Sequence, residues 1–509
     1  MQNIAIRISI QRVVVGAILM AAALIGGAIP AAADKHLRVA SFSLPAALGN
    51  VHRSTSSSEI YIWAAIFDPL TLVDDDANAI PWLATRWETL DPLTWRFYLR
   101  PGVTFSNGEP FTSDAVITNL EYLISPQGKR ESVSRVMTSI AAVKAVDDLT
   151  VDIVTHFPNI MLPRELAIAR MVAPAQWRRL GPDGFAREPV GTGPFKVENW
   201  EANKIELSAF RGSWIAPKLD RLTFIKLPDP FTRAQAVLSD NADIAIVIGP
   251  EEVAALKDAG HTAHISRGAG AMGIAYLTDK GGPVADARVR LALNLAVNKE
   301  RYIAAFLDGA TIPASQATPS FATGFDPSLK PFPYDPDRAR ALLADAGYAG
   351  GFSLVAEAIL GGSAADSAIF QYMAQDLAAV GVTLEIRGIP NSEMIRKVNF
   401  GGFDGQAYNI DFNVKPSLDA LRPFVICLDR DRFYCDDDVI STVRAAQSEF
   451  DLDQRIALVR GILKKFHDDP PMLYMHETVM IDGLAARVRN YRPLNLIVNY
   501  HQIDLDDGS

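Results

Sequence analysis

"DSAIFQYMAQDLAAVGVTLEIRG", residues Asp366–Gly388, reads as a helix that runs into a strand, with Gly381 between them. The same grammar recurs nearby. In "YDPDRARALLADAGY" (Tyr334–Tyr348), Asp335 stands at an N-cap, Pro336 at the first helical position and Gly347 just past the end, the usual asymmetry of helix termini. In "DARVRLALNLAVNKERYIAAFLDG" (Asp286–Gly309), Asp286 caps, Gly309 stops, and Val289, Leu293, Ala296 and Val297 recur at helical spacing. One helix is expected across that stretch. The repeated order of helix, glycine and strand predicts an α/β lobe.

Upstream the period changes. "HLRVASFS" (His36–Ser43) reads as a strand. In "LTWRFYLRPGVTFSNG" (Leu93–Gly108), Trp95, Phe97 and Leu99 alternate with Arg96, Tyr98 and Arg100, a strand with one wet face. Pro101-Gly102 and Asn107-Gly108 are turn signals, and together they predict a hairpin. "TSDAVITNLEYLIS" (Thr112–Ser125) then predicts a helix capped by Thr112 or Ser113.

The chain has 509 residues, 49% of them hydrophobic, and a formal net charge of −10. That length corresponds to about three domain-sized units. The acidic balance argues against a nucleic-acid surface, which needs clustered Lys and Arg. The first 33 residues are set apart. Arg7 and Arg12 precede the uncharged run Val13–Ile29, Pro30 breaks it, and Ala31–Ala33 supply small residues before Asp34. This is the layout of a secretory signal peptide cleaved before Asp34, and it implies a periplasmic mature protein. No cysteine for lipid attachment lies near the site, and no twin arginine is present. Export in turn makes the pair Cys427 and Cys435 in "CLDRDRFYC" read as a disulfide. Closing so short a loop is worth roughly 2.5 kcal/mol in the chain-entropy model.

Signatures of catalysis are scarce. "HTAH" (His261, His264) has no third ligand nearby, and "HETVM" at His476 lacks the second histidine of a zinc-protease helix. There is no Gly-x-Ser-x-Gly elbow and no phosphate loop ending in Gly-Lys-Ser/Thr. "GAGAMG" (Gly268–Gly273) matches Gly-x-Gly-x-x-Gly, but "IAYLT" follows it and reads as strand where a nucleotide loop would open a helix. A flexible crossover between lobes is the better reading. A large exported chain of several lobes without catalytic signatures points to ligand binding in a cleft, with no cofactor and no metal. An exported hydrolase of peptides or glycans and a periplasmic sensor or chaperone remain as alternatives.

Four segments, in order, resemble the family 5 extracellular solute-binding proteins of ABC importers, the dipeptide-, oligopeptide- and nickel-binding group. They are the run from "IFDPLTLVDDD" to "FTSDAV" (Ile66–Val116), "VGTGPFKVENW" (Val190–Trp200), "DARVRLALNLAVNKERYI" and "YDPDRARALLADAGY". The resemblance implies an α/β, periplasmic-binding-protein-like fold of two lobes joined by two crossover strands, with an extra lobe inserted in the first. After the signal peptide at 1–33, the lobes are expected at 34–80, 190–270 and 483–509 for lobe I, 81–189 for the insertion and 271–482 for lobe II. It also implies a monomer that hands a small solute to an ABC permease and ATPase. Gly191 and Gly193 around Thr192 suit a tight structural turn.

The resemblance directs attention to "YNIDFNVKP" (Tyr408–Pro416). In peptide binders of this family an aspartate after a Trp-containing strand holds the peptide's ammonium group. Here Asn413 falls at that position and Ile410 at that of the Trp, while Asp411 lies two residues from Asn413, on the same face of a strand. The arginine that some dipeptide binders use also has no counterpart; Gly361 and Gly362 stand in that region. A peptide-like solute, an opine or a sugar conjugate is expected. The candidate ligand contacts are Phe42, Tyr408, Asn409, Asp411, Phe412 and Asn413, with Tyr61 and Trp63 as further aromatics near the cleft.

Overall fold

A computed structural model describes residues 34–53, 57–74, 78–360, 365–411, 421, 433–494 and 497–506. The strands of its two large sheets, in chain order, are β1 (His36–Ser41), then β2 (Ala84–Asp91), β3 (Thr94–Leu99), β4 (Ile140–Asp147) and β5 (Thr150–Thr155) of a separate four-stranded sheet. There follow β6 (Phe195–Trp200), β7 (Lys204–Ala209), β8 (Arg221–Lys226), β9 (Ile244–Ala245) and the 15-residue β10 (Thr262–Tyr276). The second half adds β11 (Phe352–Ala358), β12 (Val382–Gly388), β13 (Ala407–Asp411) and the 13-residue β14 (Met472–Leu484). These last nine and β1 form one ten-stranded sheet in the order β12-β11-β13-β10-β14-β9-β1-β8-β7-β6.

That order holds two lobes. β1 runs parallel to both β8 and β9 at the centre of the first. In the second, β11 runs parallel to β12, and the helix Asp366–Ala378 connects them. Gly381 stands between that helix and β12 at φ +89°, and Gly347 ends the helix Pro336–Asp345 at φ +90°. Both stops are as expected, because only glycine takes that conformation without strain. Asp335 caps its helix by accepting from the Arg338 N–H at 3.0 Å.

The β2–β5 sheet has its own core, in which Trp95, Phe97 and Leu99 meet Phe105, Phe111, Val116 and Leu120. The inserted lobe is joined to the first lobe through Asp68. This buried carboxylate accepts from Trp82 Nε1 at 2.7 Å, Thr192 Oγ1 at 2.7 Å and Trp214 Nε1 at 3.1 Å. Burial raises its pKa, and these donors and nearby Arg170 oppose the rise. Thr192 is thus structural. Its flanking glycines are required by space: a Cβ on Gly191 would stand 1.9 Å from the Ile66 carbonyl oxygen.

Three local expectations are corrected. β3 pairs with β2 and β5, so the turns at Pro101-Gly102 and Asn107-Gly108 close no hairpin on it, only a bridge between Thr104 and Pro110. The stretch from Asp286 is two helices, Ala287–Ala296 and Lys299–Phe306. Asn298 divides them. Its N–H donates to Asp376 at 2.8 Å, and its side chain caps the second helix at Arg301 N. The helix Ser113–Ile124 does have Thr112 at its N-cap, but no side chain bonds there; Ser113 N donates instead to the Asp148 carbonyl.

Candidate functional site

β10 and β14 pass from one lobe to the other as an antiparallel ladder. At one end Leu484 of β14 pairs with Ile244 of β9; at the other, Met272–Tyr276 of β10 pair with Asp411–Ala407 of β13. The ladder's register breaks between Arg267 and Ala271, and again between Ala271 and Gly273. The irregularity coincides with Gly268–Gly273, which lies inside a strand and opens no helix, so this tract is no dinucleotide loop. The glycines serve close packing. A Cβ on Gly268 would stand 2.1 Å from Thr478 Oγ1, and one on Gly273 2.9 Å from the Leu473 carbonyl oxygen.

The candidate contacts gather near this crossing unequally. Asn409 sits in β13 opposite Ile274, and its amide donates to the Gly273 carbonyl at 3.0 Å. It therefore braces the glycine tract. Asp411 lies two positions on, at the end of β13, in register with Met272. Tyr408, on the face of β13 opposite to Asn409, is 3% exposed; its ring stacks on Phe403 at 4.4 Å and meets Phe433 edge-on at 5.9 Å. Phe412, Asn413, Gly361, Gly362 and Cys427 lie outside the described residues, as do residues 1–33.

On the first lobe, Phe42 follows β1 and is half-buried beneath the Arg233 guanidinium, 5.9 Å from its ring centre. Arg233, which the sequence reading missed, is fully buried. It donates to the carbonyls of Leu227 at 2.8 Å, Pro228 at 2.7 Å and Val247. Burial pushes its pKa down to about 10, and the carboxylates of Asp229, Asp366, Asp482 and Glu252 oppose the fall. Val247 adopts φ +56° and is held from its other side by Asp482 of β14, which accepts its N–H at 2.9 Å. Tyr61 is buried with its hydroxyl 3.4 Å from Met480 Sδ, and Trp63 packs against Phe67 and Trp200 in the core.

The lobes also meet away from the ladder. Ile160 N donates to the Gln447 carbonyl at 3.0 Å, and Ser448 Oγ donates to the Pro158 carbonyl at 3.0 Å. Trp95 of the inserted lobe stacks on Phe450, with ring centres 6.5 Å apart, and the Arg135 guanidinium lies 4.8 Å from the ring centre of Phe400. Phe400 also lines a cavity of about 400 Å³, walled from the inserted lobe by Tyr122, Arg130 and Glu131, from the first lobe by Arg53 and Glu59, and from the second lobe by Ser392 and Arg396. Phe450, an aromatic in the acidic stretch "SEFDLD", was the signal available for this interface in the sequence.

The three histidines singled out in the sequence are taken up by separate contacts. His476 is buried with Nδ1 3.1 Å from the Tyr302 hydroxyl. His261 Nδ1 accepts from Ala486 N, and His264 packs against Tyr491. No group of three metal-ligating side chains occurs among the described residues. The arrangement is two lobes joined by an antiparallel ladder whose register is interrupted at the crossing.

The sequence profile of the bacterial extracellular solute-binding proteins, family 5, matches residues 78–430. The chain belongs to that family. Its relatives within the solute-binding proteins include Di/tripeptide-binding protein 2 of Pseudomonas aeruginosa, 27% identical over 472 residues covering 86% of this chain and 87% of the relative. The nickel-binding periplasmic protein of Escherichia coli is 26% identical over 487 residues, 89% of this chain and 92% of the relative. Among solved structures, a dipeptide binding protein from Pseudoalteromonas sp. SM9913 in complex with Met-Leu superposes with a TM-score of 0.84 at 19% identity, covering 93% of this chain and all of that one. The two-lobed α/β architecture is shared, and the family is one of binding proteins found outside the cytoplasm.

Proposed function

We propose that this solute-binding protein captures a small polar solute between its lobes and presents it to an ABC permease and its ATPase at the inner membrane. One observation carries the closure: the two lobes are continuous through β10 and β14 and meet again where Pro158–Ile160 contact Gln447–Ser448. A body hinged at one place and touching at another encloses what lies between, the motion by which binding proteins of this kind hold ligands. The break of register at Gly268–Gly273 supports a division of lobe I from lobe II near residue 270, with 81–189 as the insertion and 483–509 returning to lobe I. Lys35 pairs with Asp504 at 2.7 Å, which favours that return.

The ligand is a peptide-like or other small polar compound. The contacts proposed for it are Asp411, Asn413, Asn409 and Phe412 of the second lobe and Phe42 of the first; Tyr408, buried on the other face of β13 against Phe403 and Phe433, is not proposed as one. The mature chain starts at Asp34, exported and without lipid, and Cys427 pairs with Cys435; no free cysteine occurs among the described residues. N-terminal sequencing of a periplasmic extract should begin at or near Asp34, and a start at Met1 would exclude cleavage. The central test is native mass spectrometry of the purified protein followed by small-angle scattering with the co-purified solute. A stoichiometric complex with a smaller radius of gyration is expected. Turnover of the solute, or an unchanged profile at saturation, refutes the assignment.

A further inference from the structure

The 400 Å³ cavity between the inserted lobe and the helix Asn391–Phe400 is the size of a small-solute site. Its lining holds three arginines and three acids, Glu59, Glu131 and Asp183, so its formal charges balance but are unevenly paired. Of its three arginines, Arg53 is taken up by Asp183 at 2.6 Å and Glu131 at 3.7 Å. Glu131 also accepts from the Tyr122 hydroxyl at 2.7 Å. Glu59, the remaining acid of the lining, is 5% exposed and bonded within the protein. Arg130 and Arg396 are left. Both are exposed, and neither has an ion pair among the described residues.

Their placement matters more than their number. Arg130 ends the short turn Gly128–Arg130 of the inserted lobe, whereas Arg396 stands on a helix of the second lobe. They line one cavity from two bodies. The walls of a cavity this size stand within about a Debye length, ~8 Å at physiological salt. Two guanidinium groups that line one cavity of this size repel, and an anionic oxygen cluster bound by both offsets that repulsion. Guanidinium groups match carboxylate and phosphate geometry with paired N–H donors.

We infer that this cavity receives an anionic group of the captured solute, a carboxylate or phosphate, held by Arg130 from the inserted lobe and Arg396 from the second. The inference rests on the capture function proposed above and narrows the solute to one with an anion at this end. Binding of that anion joins the walls, so recognition of charge and closure of the lobes become one event.

The test uses the full mature protein and two probe pairs matched in size: Glu-Glu with Gln-Gln, and sorbitol 6-phosphate with sorbitol. Calorimetric titration should find the charged member of at least one pair bound at least tenfold tighter than its uncharged partner; which pair responds separates carboxylate from phosphate. Arg130→Gln and Arg396→Gln should each reduce that preference about tenfold, while the ligand-free melting temperature holds because both side chains are exposed. The inference is overturned if neither charged probe binds, if the uncharged partners bind equally, or if both variants keep the preference. Should Gln-Gln or sorbitol bind and shrink the radius of gyration, capture stands and only the anion is lost.

Discussion

Thr478 and Gly270 hold each other by a reciprocal pair of hydrogen bonds. The Gly270 N–H donates to Thr478 Oγ1 at 3.1 Å, and that hydroxyl lies 3.1 Å from the Gly270 carbonyl, to which it donates. The pair sits where the backbone register between β10 and β14 is interrupted, so a side chain supplies bonds that the ladder lacks. Thr478→Val keeps the volume and removes both. It should cost about 1–3 kcal/mol, at ~0.5–1.5 kcal/mol for each bond, and hydrogen exchange at Gly270 should quicken. Thr478→Ser should behave as the parent. Equal exchange in the Val variant would show that the hydroxyl does not hold the crossing.

The same crossing makes Gly268 intolerant of a side chain. Gly268→Ala places a methyl group within 2.1 Å of Thr478 Oγ1 and 2.8 Å of the Thr478 carbonyl oxygen. The backbone must move, at a cost of roughly 1–3 kcal/mol for overpacking. Urea denaturation of the variant should show a lower midpoint with an unchanged slope. An unchanged midpoint contradicts the close approach.

Two buried histidines set an acid limit. Burial holds His52 near a pKa of about 3 and His476 near about 4, against 6.5 in the unfolded chain. Both are neutral in the fold, so their contribution is intact above pH 6.5. As pH falls below that value, only the unfolded chain takes up the protons. Each group then costs about 1.4 kcal/mol per pH unit, until pH reaches about 4 for His476 and about 3 for His52. Unfolding free energies at pH 6.5, 5.5 and 4.5 should decline, and His476→Gln should decline less steeply. Parallel slopes would remove His476 from the account.

Phe450 is 42% exposed yet stacks on Trp95 across the lobes. An aromatic pair of this kind contributes ~0.5–1.5 kcal/mol, small against the stability of the chain but comparable to a balance between open and closed forms. Phe450→Ala should enlarge the ligand-free radius of gyration and leave the melting temperature nearly unchanged. A lower melting temperature with no change in scattering would make Phe450 an ordinary packing residue.

For Asp411, a charge-assisted hydrogen bond to the solute is worth roughly 1.5–3 kcal/mol. Asp411→Asn should weaken binding of the co-purified solute about tenfold to a hundredfold, and Asn413→Ala should weaken it less. Normal calorimetric binding by Asp411→Asn, together with a melting temperature several degrees lower, would make the carboxylate a structural cap.

The elements were legible in the sequence wherever one residue type had one physical use. Gly347 and Gly381 end helices because only glycine takes their φ, and Asp335 caps because a carboxylate reaches a free N–H. Asn298 was missed: as a helix breaker it depends on Asp376, 78 positions away. The glycine tract was read as a crossover, but its cause was misjudged, since the demand is for space beside Thr478, 208 residues on from Gly270. The candidate contacts along β13 and at Phe42 came from the family resemblance and not from a local pattern. Arg130, Arg396 and Arg233 carry no local pattern; their meaning comes from the cavity and the carbonyls that folding brings to them.

Lys397, next to Arg396, is buried, and its ammonium is bound by Glu357 at 2.7 Å and Asp404 at 3.1 Å. Glu357 also accepts the N–H groups of Asp404 and Gly405. The helix is thus riveted to β11 by one position while its neighbour points into the cavity. Such a division of labour makes position 396 evolutionarily cheap to change. A duplicated gene could exchange Arg396 for a neutral or acidic residue and inherit a new cargo while the fold stayed intact, whereas drift at 397 would dismantle the wall on which any cargo is read.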